Sequence, residues 1–133
     1  WGFTAIDQWG EVHDRCGGMP AAAGNSNNRA EMFALWMALL WADDRPAVIR
    51  SDSQYVINGM TTWWMGWARK GWRRMEEGVM VSIPNRDLWE PMLKARQRHH
   101  TIEWVKGHSG DKNNERADRL ALHGRESATR KAA

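Results

Sequence analysis

The stretch NNRAEMFALWMALLWADDRPAVIRSD, residues 27–52, predicts a helix followed directly by a strand. Apolar residues recur at the i, i+3, i+4, i+7 and i+8 spacing that places them on one helix face: Met32, Leu35, Trp36, Leu39 and Leu40. Arg45-Pro46 ends this helix, because the residue before a proline disfavours helical backbone. The apolar, β-branched residues of AVIRSD then predict a short strand.

The flanking segments extend this unit into an α/β domain. GFTAIDQWG and EVHDRCGGM, residues 2–19, predict two strands joined as a hairpin through Trp9-Gly10. The other predicted elements are a helix over 53–72 with a break near Gly59, a helix from about Asp87 to Gln97, a strand over 101–107 and a helix over 113–124. Strands that alternate with helices imply an α/β layer fold with a mixed central β-sheet.

Composition limits the class of protein. The chain has 133 residues, enough for one domain with its own core, which we place at residues 1–124 before a polar C-terminal tail, 125–133. No apolar run approaches the ~20 residues of a membrane span, and no obligate protein partner is indicated. The single cysteine, Cys16, favours a reducing, cytoplasmic location. The pI of about 9.4 favours a polyanionic partner.

Three acids fall where a site is expected. We place Glu31 in the first turn of the first long helix, Asp52 at the end of a strand, and Asp118 one turn into the last helix. In open α/β sheets, sites gather at the carboxyl ends of strands. Clustered carboxylates without Cys or paired His suit oxygen-preferring cations such as Mg²⁺ or Mn²⁺.

Each acid also has a purely structural interpretation. Glu31 with Asn28 has the spacing of a capping box, and Asp52 is placed to cap the helix that follows it. Asp118 has Arg116 and Arg119 nearby in the sequence as surface ion-pair partners. The spacing of these residues alone therefore leaves the function open.

The sequence around these acids resembles the type 1 ribonuclease H family. Four words occur in the same order as in that family: NNRAE at 27–31, SDSQYV at 51–56, NRDLW at 85–89, and WVKGHSG with NERADRLA at 104–121. The resemblance extends from Trp1 to about Gly124. It implies the ribonuclease H-like fold, with helices on both faces of the sheet.

The resemblance also implies an activity. Members of the family cut the RNA strand of RNA–DNA hybrids with two divalent metal ions, Mg²⁺ or Mn²⁺, held by four carboxylates. Glu31, Asp52 and Asp118 match three of the four. His108, between Gly107 and Gly110, matches a mobile histidine that assists proton transfer or product departure; the alternative is a surface histidine on a loop.

Candidate substrate contacts form two groups. Asn27, Asn28 and Gln54 stand beside the acids and carry amides that can donate to and accept from a 2′-hydroxyl. The stretch TTWWMGWARKGWRR, residues 61–74, matches a basic protrusion that straddles the DNA strand. Its candidates are Trp63, Trp67, Arg69, Lys70 and Trp72. The alternatives are a core stripe with a solvated basic side, or an interfacial membrane helix, which Gly66 and Gly71 weaken.

One family motif has no counterpart. No Asp-Gly-Ser occurs in the chain, so the first carboxylate is unmatched, and Asp7 and Asp14 are poor substitutes within the hairpin. In this family that motif lies on the first, central strand, between the hairpin and AVIRS, and we expect that strand to be missing from this chain. Stable monomeric folding is then expected to require a preceding N-terminal strand with the fourth carboxylate, or a strand supplied by another chain. Two other classes stay open: a catalytically impaired hybrid-binding module, and a structural domain that keeps only the fold.

Overall fold

A computed structural model of the chain describes residues 1–19, 26–106, 116–117 and 119–122. The strands are β1 Gly2–Ile6, β2 Val12–Cys16, β3 Ala47–Ser51, β4 Arg73–Glu76, β5 Val79–Ser82 and β6 His100–Trp104. The helices are α1 Asn27–Ala42, α2 Gln54–Asn58, α3 Trp64–Arg69 and α4 Arg86–Ala95, with a π-helix, Gly59–Trp63, between α2 and α3. Residues 116–117 and 119–122 are also helical.

The strands combine parallel and antiparallel pairing, which confirms the α/β class. β1 pairs with β2 and β4 with β5 as antiparallel hairpins, whereas β3 pairs with β6 in parallel. Within the described ranges these pairs are three two-stranded sheets, and no described strand joins β1 to β3, where the first strand of the family is expected. None of the described helices is long and apolar enough to cross a membrane.

The core lies between α1, α2, α4 and β6. Met32, Leu35 and Leu39 of the predicted apolar face are buried, as is Trp89 of α4. Leu40, predicted for the same face, is 51% exposed, so that part of the prediction is wrong. The buried side of α1 includes Phe33, which the predicted face left out, and excludes Leu40.

The predicted break near Gly59 is confirmed as a change of helix type, because α2 ends at Asn58 and the π-helix begins at Gly59. The backbone passes through the π-helix directly into α3, with Gly59 itself buried. A Cβ on Gly59 would lie 2.6 Å from Cζ3 and 2.7 Å from Cζ2 of Trp89, so only glycine lets this helix approach the ring. Gly59 therefore follows the last residue of α2 and also allows close packing against Trp89.

The β4–β5 hairpin was not predicted from the sequence. Its two-residue loop, Glu77-Gly78, has φ of 50° and 81°, and positive φ at both loop residues is the geometry of a type I′ turn. The available signal was Gly78 at the second loop position, but a glutamate at the first position is uncommon in such turns. The flanking sequence Arg73–Glu76 also has little strand propensity.

The helical residues 119–122 pack against the first hairpin. A Cβ on Gly2 of β1 would lie 2.5 Å from the backbone nitrogen of Ala121 and 2.6 Å from the carbonyl carbon of Leu120. Arg116 pairs with Asp14 of β2, its Nε donating at 2.8 Å. The end of the described chain is thereby fixed to the β1–β2 sheet.

Candidate active site

Glu31 lies in the second turn of α1, not in the first turn as predicted. Ser26 is the N-cap, and its hydroxyl accepts from the N–H of Arg29 at 3.2 Å. The capping-box interpretation of Asn28 and Glu31 is therefore wrong, because the capping position is already filled two residues earlier. The carboxylate of Glu31, on an exposed residue, is not the group that begins the helix.

Asp52 likewise does not cap the helix that follows it. Ser53 is the N-cap of α2, and its hydroxyl accepts from the N–H of Val56 at 3.2 Å. Asp52 is half-buried, and its backbone carbonyl accepts from the indole N–H of Trp104 at 3.1 Å. Since Trp104 is the last residue of β6, Asp52 stands where the carboxyl ends of two parallel strands meet.

The lengths of α1 and β3 bring Glu31 and Asp52 to the same end of these two packed elements. A short turn joins α1 to β3, and the two elements pack against each other, so they run in opposite directions. The eleven residue-to-residue steps from Glu31 to Ala42 rise about 16 Å along the helix, and the five steps from Ala47 to Asp52 rise about the same distance along the strand direction. The two acids therefore lie at one end of the α1–β3 unit.

The amide candidates lie at the same helix starts. Asn27 and Asn28 are the first two residues of α1, Gln54 is the first residue of α2, and all three are exposed. α1 also packs against α2. The structure thus brings the three amides to the N-termini of two helices that pack against each other, beside the acids in the sequence.

Sequence reasoning missed a bridge between these helix starts. Arg29 donates to the side-chain oxygen of Asn85 at 3.0 Å, and the amide nitrogen of Asn85 donates to the hydroxyl of Tyr55 at 2.9 Å. Arg29 also donates twice to Asp87, at 3.1 and 2.7 Å. The hydrogen bonds from Arg29 lower the pKa of the Asp87 carboxyl. The only sequence signal was the word NRDLW, which did not reveal its partners.

The tryptophans of residues 61–74 are divided between surface and core. Trp63 is 41% exposed, and its ring centroid lies 5.9 Å from that of Trp67. Trp67 and Trp72 are half-buried and pack on the core, with Trp67 5.5 Å from the buried ring of Trp89. Among the candidate tryptophans, Trp63 has the most exposed ring for a ligand.

The cations of the same region form an exposed surface. Arg69, Lys70, Arg73 and Arg74, which we call the cationic surface, are all exposed. Arg74 is paired with Glu76, its Nε donating at 2.8 Å. Over the described ranges the other three cations form no ion pair, so their charge is available to a polyanion.

One further group of possible metal ligands lies in the first hairpin, and its bonds are local. Asp7, Glu11 and His13 place ligand atoms within 4.8 Å of one another. Asp7 accepts from the N–H groups of Trp9 and Glu11, both at 2.9 Å, and its second oxygen bonds to His13 at 2.9 Å. These bonds lower the pKa of Asp7, and the bond to His13 has the largest effect. They also close the loop of the hairpin, so the three residues have a structural role there.

Two predicted site residues, His108 and Asp118, lie outside the described residues. Their assignment rests on the sequence. The predicted tail, residues 125–133, lies outside them as well.

Comparisons with known proteins identify the family of this chain. A family model for RNase H matches residues 1–126. Ribonuclease H of Gluconobacter oxydans (strain 621H) is 42% identical over 95% of this chain and 81% of the relative. Ribonuclease H of Hyphomonas neptunium (strain ATCC 15444) is 43% identical over 92% of this chain and 80% of the relative.

A solved structure shows the same fold. The crystal structure of LC9-RNase H1, a type 1 RNase H with the type 2 active-site motif, superposes with a TM-score of 0.66 at 30% identity. The match covers 77% of this chain and 49% of that chain, so this chain spans about half of that protein's length.

These matches place this α/β chain among the nucleases. More narrowly, the chain belongs to the ribonuclease H family and is a ribonuclease H enzyme. This confirms the resemblance drawn from the four sequence words.

Proposed function

We propose that the protein hydrolyses the RNA strand of RNA–DNA hybrids with Glu31 and Asp52 as carboxylate ligands of divalent cations. The observation that carries the proposal is that serines, not these acids, cap α1 and α2. Both acids are therefore dispensable for helix initiation, yet both stand at the end of the α1–β3 unit. Asp118 joins them by its position in the family word NERADRLA.

The donor set fits hard cations. Glu31 and Asp52 offer only carboxylate oxygens, the ligand type preferred by Mg²⁺ and Mn²⁺. A pair of such ions, when bound, supplies charge stabilisation at both the attacking and the leaving oxygen of a phosphodiester. The three carboxylates would hold the ions, and His108 would assist proton transfer or the departure of the product.

The neighbouring residues position the substrate. The exposed amides of Asn27, Asn28 and Gln54 can bond a 2′-hydroxyl, the group that distinguishes RNA from DNA. On the DNA strand, Arg69 and Lys70 would pair with phosphates, and Trp63, with the exposed parts of Trp67 and Trp72, would pack on sugars or bases.

The direct test uses an RNA–DNA hybrid labelled on the RNA strand, with RNA and DNA duplexes of the same sequence as controls. We expect internal cuts in the RNA of the hybrid only, dependent on Mg²⁺ or Mn²⁺. A hybrid that is bound tightly but never cut would instead identify a non-catalytic binding module. Failure to bind the hybrid would leave only the structural-domain alternative.

His108→Ala is expected to slow cleavage about 10²–10⁴-fold without abolishing it, since a proton-transfer group contributes part of the catalysis. Single- and multiple-turnover rates across pH would measure the loss. The matched control is His13→Ala, which removes an imidazole bonded to Asp7 in the first hairpin and leaves the rate unchanged. A variant with the rate and pH profile of the wild type would reduce His108 to a surface residue.

Replacing Arg69, Lys70 and Arg73 together by alanine is expected to weaken hybrid binding and flatten its salt dependence, by about 0.9 in log–log slope per lost phosphate contact. The rate at saturating substrate changes less. Arg74→Ala is the control, with a smaller effect, because Glu76 already neutralises that cation. Unchanged affinity and slope in the triple variant would exclude the cationic surface as a substrate contact.

A further inference from the structure

The side chain of Asn85 connects α1 to α2 and does not cap α4. Asn85 occupies the N-cap position of α4 with φ of 63° and ψ of 20°, a left-handed conformation that few non-glycine residues adopt. Its side chain makes no capping bond. Instead its oxygen accepts from Arg29 and its nitrogen donates to Tyr55, residues 56 and 30 positions away.

The two partners of Asn85 are the chain neighbours of the proposed RNA contacts. Arg29 directly follows Asn28 in α1, and Tyr55 directly follows Gln54 in α2. One planar amide therefore connects the first turns of both helices through bonds of 3.0 and 2.9 Å. A large change in the spacing of these helix starts would lengthen or break these bonds.

Asp87 fixes the donor end of this bridge. Its carboxylate receives two bonds from the guanidinium of Arg29, whose side chain is only 15% exposed. A two-point contact orients a guanidinium more strictly than a single bond does. The carboxylate holds Arg29 with its third donor directed at Asn85.

We propose that Arg29, Asn85 and Asp87 are positioning residues that set the separation of Asn28 and Gln54, so that both amides reach the RNA strand of one hybrid. The inference rests on the proposed function, because it presumes that these amides contact substrate. The bridge touches no reacting atom, so it acts on substrate binding rather than on the chemical step.

The test uses two side-chain truncations, one on each arm of the bridge. Arg29→Met removes the donors while keeping an unbranched, largely apolar stem, and Tyr55→Phe removes only the hydroxyl. Each is expected to raise KM for the hybrid by roughly tenfold, and up to about 10²-fold, with kcat within a few-fold of the wild type. Because both act through Asn85, the double variant should be no worse than the worse single variant.

The matched control is Arg86→Met. It breaks the Arg86–Glu90 pair, in which Nε donates at 2.9 Å, within the same helix and beside Asp87, and KM stays at the wild-type value. Variants that unfold at lower temperature but keep KM would make the bridge merely structural and overturn the inference. So would additive effects in the double variant.

The wild-type protein separates this inference from the proposed function. Wild-type protein that neither binds nor cuts the hybrid rejects the proposed function and the inference with it. Wild-type protein that cuts, together with variants of unchanged KM, rejects the inference alone.

Discussion

Asp52→Asn is expected to reduce cleavage of the hybrid on the order of 10³-fold or more while the protein stays folded. An amide has no anionic oxygen to offer a divalent cation, and the charge stabilisation that such ions supply amounts to several kcal/mol. At about 1.4 kcal/mol per tenfold, that loss gives the stated factor. The fold survives because Ser53, not Asp52, caps α2, and because Trp104 bonds the backbone of Asp52 rather than its side chain.

The matched control for this variant is Asp44→Asn. Asp44 is an exposed acid in the turn that precedes β3. Its variant also replaces a carboxylate by an amide and removes one negative charge, but at the opposite end of that strand. We expect wild-type cleavage from it. The measurement is the single-turnover rate at several Mg²⁺ concentrations, with far-ultraviolet circular dichroism to verify folding. Wild-type cleavage by Asp52→Asn would exclude Asp52 as a ligand.

The parts of the fold with strong local signals were predictable from the sequence. The 3.6-residue periodicity located α1, the residue before Pro46 marked its end closely, and β-branched residues located β3. The β4–β5 hairpin was missed because its turn carries glutamate where asparagine or aspartate is usual. The partners of β1 and β3 depend on tertiary pairing, which no local pattern specifies.

The candidate site was likewise predictable only in part from the sequence. Glu31 and Asp52 were found from sequence words, but spacing alone could not separate a ligand from a helix cap. The serines one or two positions from the expected caps resolve that ambiguity, since each cap position holds one side chain. The bridge from Arg29 to Tyr55 was invisible, because its contacts span 56 and 30 residues. His108 and Asp118 stay predictions.

The helical segment between Asp52 and the cationic surface depends on the packing of Trp89. This ring is completely buried and lies 5.4 Å from Tyr55 and 5.5 Å from Trp67, measured between centroids. It therefore supports the start of α2 on one side and α3 on the other. Gly59 is the point where the helix backbone rests on the ring.

Two glycine substitutions in this segment are expected to change stability in opposite directions. Gly59→Ala would place its methyl group closer to Cη2 of Trp89 than any real contact, and the buried ring has no space to withdraw. Such overpacking costs about 1–3 kcal/mol, and more where the neighbour is rigid. Gly66→Ala in α3 meets nothing within 4 Å and has no positive φ, so it should gain the helix propensity of alanine, about 0.5–1 kcal/mol.

Thermal unfolding of the two variants in one buffer measures both effects. A difference of 1 kcal/mol corresponds to a shift in Tm of roughly 4 °C for a domain of this size. We expect Gly59→Ala to unfold several degrees below the wild type and Gly66→Ala a few degrees above it. Because both exchanges add the same methyl group to the same helical segment, propensity alone would shift both upward. A raised Tm for Gly59→Ala would mean that the contact with Trp89 does not limit this position.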